Sequence, residues 1–247
     1  ITVQTAINAL EKTDKALNNA RKLNAPVKKI RVFDFDDTLA KSKSMVIVNM
    51  PDGSTTQINA TQFAQQASDL ESQGAEFDFS EFSKVVDGKK GPLFEVAKKI
   101  ADVRGTEDVF ILTARPQNAD GPIQAFMKAN GIDIPLKNIT GLGDGTAQAK
   151  AGWIMGKAAE GYNDFYFADD AIKNVKAVKD VLSQVDVKSK VQLAKASKKV
   201  TFDTIVNDMI EDSSGIETYK QYSAARAKTV GANKGRFNFF IPPSAED

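Results

Sequence analysis

Neither cysteine nor histidine occurs among the 247 residues of this chain. Without cysteine there are no disulfides, no thiolate nucleophile and no thiolate-bound zinc or iron–sulfur cluster. Without histidine there is no Ser–His–Asp relay, no imidazole metal ligand and no ordinary neutral-pH general base. What remains for chemistry is carboxylate, ammonium and hydroxyl, or a hard metal ion held by oxygen. An excess of either charge is also lacking: 33 Lys and Arg face 32 Asp and Glu, for a formal net charge of +1. No global field therefore draws the chain to nucleic acid or to an anionic membrane. No apolar run approaches the ~20 residues that cross a bilayer, and no signal-peptide pattern opens the chain, so we expect an intracellular protein without a membrane partner. Its first residue is Ile1, which leads us to expect a fragment or a processed product.

What is present is ordinary globular material, 42% hydrophobic and 26% charged, enough for one large domain or an average one with appendages. Residues 1–27 read as an N-terminal helical segment, with Val3, Ile7, Leu10 and Leu17 on one face and a break at Asn24-Ala-Pro26. A strand follows over 29–35. Two short strand signals flank Pro51-Asp-Gly53 as a hairpin, and a helix begins near Ala60 with Asn59 and Gln62 at capping-box spacing. After an irregular stretch, Pro92 opens another helix that Gly105 ends. From Val109 onward short apolar strands alternate with helices as far as Leu182, the pattern of a parallel sheet covered on both faces. Residues 186–247 read as a lysine-rich helical extension with an apolar tail, RFNFFIPPSAED, suited to a protein partner.

The stretch IRVFDFDDTL crowds Asp34, Asp36 and Asp37 onto the end of a buried-looking strand. Like charges so close need a counter-charge. Ligands of parallel sheets bind at the carboxyl ends of strands, and those ends also carry Thr113, in FILTAR, and Asp169-Asp170, in FYFADD. Lys150 lies on the helix before the last of these strands. Oxygen ligands with two or three carboxylates suit Mg²⁺, and a metal ion would answer the repulsion. Each piece alone has a plainer meaning: Asp169-Asp170 suits a helix cap, Lys150 has Lys157 as a rival, and Gly141-Leu-Gly-Asp-Gly145 reads as a tight turn before a helix capped by Thr146. The pieces carry weight together.

In order, residues 33–39, 110–115, Lys150 and 166–170 resemble the four motifs of the haloacid dehalogenase-like (HAD) superfamily, with Asp34-Phe-Asp36-Asp-Thr38 fitting its D-x-D-x-T signature. The resemblance covers about 28–182 and implies a catalytic domain over 28–185: a Rossmann-like three-layer α/β/α sandwich around a parallel sheet. It also implies a small α+β cap inserted after the first strand, at about 41–108, with Gly53, Gly74, Gly88 and Gly91 available for hinge movement. It implies a Mg²⁺-dependent phosphomonoester hydrolase. Asp34 would be the nucleophile that forms an aspartyl-phosphate, and Asp36 the general acid and base. Thr113 would bind phosphoryl oxygens, Lys150 would offset charge, and Thr38 and Arg115 would contact substrate. Asp34, Asp36, Asp169 and Asp170 would hold the metal, with the direct ligand of the Asp169-Asp170 pair left open.

The substrate expected is a phosphorylated small molecule or a nucleic-acid 3′-phosphate end; the near-zero net charge and the acidic EFDFSEF segment favour the small molecule. Arg115, in its Thr-Ala-Arg context, resembles an arginine that nucleic-acid-end phosphatases present to phosphate. The stretch GYNDFYFADDAIKNVKAVKDVL also resembles HAD-like domains of tailed phages, which implies a viral origin and a place in the host cytoplasm or the virion. The alternative reading is a HAD-fold binding or assembly module of a larger, virion-associated phage polypeptide.

Overall fold

The structure, a computed structural model, describes residues 3–194 and Lys220. The expectations for the segments beyond 194, the rest of the helical extension and the apolar tail, lie outside the described residues. Six α-helices and ten strands are described, in the order α1 (Val3–Ala20), β1 (Lys29–Phe33), β2 (Ala40–Lys41), β3 (Val46–Asn49), β4 (Thr55–Ile58), α2 (Ala60–Ser72), β5 (Glu76–Asp78), β6 (Lys89–Lys90), α3 (Phe94–Arg104), β7 (Val109–Thr113), α4 (Asp120–Ala129), β8 (Ile139–Gly141), α5 (Ala147–Ala159), β9 (Asp164–Asp169), α6 (Ile172–Val185) and β10 (Lys188–Leu193).

Strands β10-β9-β1-β7-β8 form one five-stranded sheet in that order, every pair parallel. The central strands are β-branched and aromatic because both faces are covered, and their side chains sort by the two-residue period. Ile30, Val32, Phe110, Leu112, Phe165 and Phe167 pack beneath α1, α5 and α6. Phe33, Val109, Ile111, Tyr166 and Ala168 pack beneath α3 and α4. The result is a Rossmann-like three-layer α/β fold. The chain leaves β1 for β7 on one side and returns to β9 on the other, so the strand order reverses at β1. Beyond the carboxyl end of β1 the fold leaves its crevice.

Three details differ from the sequence reading. The sheet does not end with α6: β10 pairs with β9 along its length, Lys188 opposite Asp164 through Leu193 opposite Asp169. The first helix belongs to the same body, since Ala16 and Ala20 are buried in one cluster with Ala151 and Ile154 of α5. Finally, α3 is part of the sheet's cover: Phe94, Val96, Ala97 and Ile100 share a cluster with Phe33 and Ile111.

What stands apart from the sheet is therefore shorter than 41–108. A stalk of two antiparallel strands, β2 and β6, leads to a three-stranded antiparallel sheet, β4-β3-β5, with α2 beside it. This insertion has its own core of Val46, Val48, Ile58, Phe63, Ala75 and Phe82. The hairpin forms as expected, with Val46 opposite Ile58. So does the capping box: Asn59 accepts from the Gln62 backbone N–H, and Gln62 accepts from the Asn59 backbone N–H, at 2.9 Å each. The stalk glycines act by close fit. A Cβ on Gly91 would stand 2.5 Å from the Thr38 carbonyl oxygen, a contact that backbone cannot give way to. Gly53 and Gly74, at φ +83° each, serve turns remote from the stalk.

Candidate active site

Asp34 is the first residue past β1, and its backbone N–H donates to the Ala168 carbonyl of β9 at 2.9 Å. That bond fixes the carboxylate in the crevice between the strand ends. Lys150, the fourth residue of α5, reaches the same point from the layer below. Its Nζ stands 2.7 Å from Asp34 Oδ1 and 2.6 Å from Asp169 Oδ2, all three groups being buried. Thr146 starts that helix by accepting from the Ala149 N–H at 3.2 Å, as expected from the glycine turn before it.

Asp169 and Asp170 differ in environment. Asp169 is wholly buried and accepts from the Ala171 N–H at 2.9 Å and from Asn174 Nδ2 at 3.0 and 3.1 Å, besides Lys150. Asp170 is half-buried and lines the cleft above, together with Asp34, Asp36, Asp37, Thr113 and Lys150. One carboxylate oxygen from each of Asp34, Asp169 and Asp170 lies within 4.8 Å of the other two. Burial raises Asp34 well above the usual carboxylate range, against the pull of Lys150 and with the help of Asp169 and Asp170. Burial, then Asp169 and Asp37, push Asp170 up to about 7. Burial disfavours the Lys150 ammonium, but Asp169 and Asp34 outweigh it and hold its pKa above the ordinary lysine range.

Sequence reasoning missed Asn174. It is buried, lines the cleft, and its Oδ1 has no hydrogen-bond partner. An orphaned buried carbonyl beside crowded carboxylates calls for a cation or a donor. The signal was legible: Asn174 stands in the first turn of α6, just after the Asp169-Asp170 pair. These oxygens, all hard and mostly anionic, fit a divalent metal ion. Asp34, Asp170 and Asn174 would face it, with Asp169 holding Lys150 and Asn174 from beneath.

Two expected substrate contacts are placed elsewhere. Thr38 is fully buried, its Oγ1 without a partner, and it does not line the cleft. Its backbone carbonyl instead accepts from Leu93 N–H at 3.0 Å, at the base of the stalk. Arg115 is also fully buried. Nε and Nη2 donate to the two carboxylate oxygens of Asp36 at 2.7 Å each; Nη2 also donates to Ser42 Oγ at 2.8 Å. Nη1 donates to the Phe82 carbonyl at 2.9 Å and to the Lys84 carbonyl. A guanidinium has five N–H donors, and these bonds occupy all of them. None is left for substrate phosphate.

The cleft is narrow, with about 30 Å³ of free space, room for roughly two water molecules. Thr61, Phe63 and Phe82 of the insertion close it. Thr61 also donates to Asp37 Oδ2 at 2.7 Å, a second tie between insertion and core. Outside, a wider cavity of about 450 Å³ shares Thr61, Asp170 and Ala171 with the cleft and adds Gln65, Ile172 and Lys173.

Among the described residues no helix is long and apolar enough to cross a membrane. Comparisons with protein-family models, with curated proteins and with solved structures give no match.

Proposed function

We propose that this protein is a HAD-type, Mg²⁺-dependent phosphomonoester hydrolase working through an aspartyl-phosphate on Asp34. The observation that carries the reading is the setting of Asp34. It ends the central strand, faces the cleft, and has a lysine ammonium at 2.7 Å on one oxygen, with Thr113 and Asp170 beside it. Phosphoryl transfer asks little covalent chemistry of a protein beyond a positioned nucleophile and charge neutralisation.

A bound Mg²⁺ would neutralise charge on the phosphoryl oxygens, held by Asp34, Asp170 and Asn174. The chain supplies the rest. An Asp34 carboxylate oxygen forms a bond to phosphorus as the bond to the leaving oxygen breaks, and that oxygen takes a proton from Asp36. The Asp36 carboxylate then takes a proton from water, whose oxygen attacks phosphorus and releases Asp34 and inorganic phosphate. Lys150 orients Asp34 and offsets its charge, and the Thr113 hydroxyl donates to a phosphoryl oxygen. To carry the proton that it donates, Asp36 must first loosen one of its two bonds to Arg115.

A small phosphate ester suits the roofed cleft and the 450 Å³ cavity outside it better than a polynucleotide end does. The second reading, a HAD-fold binding or assembly module of a larger phage polypeptide, is favoured by one observation: both Asp36 oxygens are engaged. A panel of phosphate esters with and without Mg²⁺ tests both. Mg²⁺-dependent turnover that is lost in Asp34→Asn supports the hydrolase. No turnover across the panel supports the module.

A further inference from the structure

The bonds of Arg115 join two parts of the molecule. Its Nε and one Nη2 hydrogen take the carboxylate of Asp36, on the loop after β1. Its Nη1 takes the carbonyls of Phe82 and Lys84, both in the insertion. The second Nη2 hydrogen takes Ser42, where the stalk ends. The guanidinium is also stacked between the sides: its carbon lies 5.3 Å from the centre of the Phe35 ring and 4.6 Å from that of Phe82. The side chain is 0% exposed and that of Asp36 only 13%. A buried guanidinium is stable only while its hydrogen bonds and counter-charge are intact. Lifting the insertion would remove two carbonyls and one ring from it together.

The narrow cleft gives such a lift a role. Its free space is about 30 Å³, and Phe63 and Phe82 of the insertion form part of its wall, so lifting the insertion widens the room for a phosphate ester. From this geometry we infer that Arg115 is a positioning residue that couples the seating of the insertion to the orientation of the Asp36 carboxylate. With the insertion seated, the fork holds Asp36 at one angle over the cleft. With it lifted, Arg115 loses the carbonyls that fix its plane, and Asp36 loses its fixed partner. Coupling of this kind is reciprocal: whatever loosens Asp36 loosens the insertion. The inference rests on the proposed activity only for its catalytic consequence.

Amide hydrogen–deuterium exchange on the full chain, with phosphatase assays in parallel, tests it in Arg115→Met, Arg115→Lys, Asp36→Ala and Asp36→Asn. Asp36 makes no bond to Phe82 or Lys84 among those described, so Arg115 is the link between them. Removing the Asp36 carboxylate is therefore expected to speed exchange in residues 76–90 by about tenfold, as Arg115→Met does, while β1 and β7 keep their protection. Arg115→Lys, which keeps the charge but loses the fork, falls between. If the alanine variant does not fold, Asp36→Asn carries the same comparison. In turnover, Arg115→Met added to Asp36→Asn costs no further activity beyond about twofold, because both act through one group. Insertion exchange that follows Arg115 but ignores Asp36, or fully additive losses, overturns the inference. A chain that hydrolyses no ester leaves the exchange comparison decisive, and the proposed function alone then fails.

Discussion

Lys150 Nζ stands 2.7 Å from Asp34 Oδ1, and the two side chains are 3% and 7% exposed. The same nitrogen is 2.6 Å from Asp169 Oδ2, so one ammonium separates two buried carboxylates. Breaking such an arrangement from the cationic side leaves both charges uncompensated. Lys150→Met is expected to cost about 3–5 kcal/mol of stability, read from denaturant unfolding. It should also lower turnover at least about a hundredfold through loss of preorganised charge. A Lys150→Met protein as stable and active as wild type would remove Lys150 from the site.

Asp34→Asn separates chemistry from fold. The amide keeps the shape and removes a carboxylate that burial already disfavours. Turnover should vanish, and the melting temperature of the metal-free protein should not fall. Retained turnover would exclude Asp34 as nucleophile.

The unequal settings of Asp169 and Asp170 predict unequal variants. Asp170 faces the cleft and Asp169 lies beneath it, bonded to Lys150, Ala171 and Asn174. In Asp170→Asn, Mg²⁺ should no longer raise the melting temperature by mass action, with the fold intact. In Asp169→Asn, stability itself should drop, because Lys150 and Asn174 lose their anchor. Equal responses to Mg²⁺ in the two variants would contradict this division.

Much of this was legible in the sequence, for a physical reason. Asp34, Thr113 and Asp170 sit at ends of apolar strands, and in a parallel sheet strand ends converge. Lys150 was readable because its helix runs between two of those strands. Arg115 was misread because two of its partners, the carbonyls of Phe82 and Lys84, are backbone atoms that no motif records. Strand β10 was missed because KSKVQL places lysines on a half-exposed edge, which looks like a polar extension although edge strands commonly carry such charges. The insertion was drawn too long because α3 resembles any amphipathic helix; only its partners, Phe33 and Ile111, reveal which body it covers.

Metal-free stability should depend on pH through Asp170. Its pKa rises to about 7 on folding from an ordinary 3.8, so between these values the folded chain binds the extra proton. Its contribution to stability therefore falls as pH rises from about 4 to about 7 and levels off above. Burial shifts Asp34 in the same direction. Asp170→Asn should flatten this slope and stabilise the metal-free protein at pH 8 by roughly 1–2 kcal/mol, after allowance for the exposed part of the carboxylate. Saturating Mg²⁺ should reverse the wild-type trend, since ionised ligands bind better as pH rises. Thermal melts across pH 4–9, with chelator and with Mg²⁺, read both. A slope unchanged in Asp170→Asn would assign the pH dependence to other groups.

The last prediction concerns the insertion. Because α3 covers the sheet, a replacement must stop at the stalk and retain everything from Gly91 onward, where the backbone fits tightly against Thr38. Joining Lys41 to Lys90 through a short linker should leave a folded five-stranded body, since the insertion buries its own core of Val46, Val48, Phe63 and Phe82 separately. That body should still gain stability from Mg²⁺, as Asp34, Asp169 and Asp170 all come from the sheet's own strand ends. Turnover of small activated aryl esters should persist, while discrimination among natural phosphates falls about tenfold or more with the loss of Thr61, Phe63 and Phe82. Salt discriminates the nucleic-acid alternative in the intact chain. A compact ester should be cleaved at nearly constant rate between 50 and 200 mM salt, whereas a 3′-phosphorylated oligonucleotide making several phosphate contacts would lose orders of magnitude in affinity (about 10³ or more for six contacts). A steep salt dependence together with a preference for the oligonucleotide would reverse the assignment of substrate.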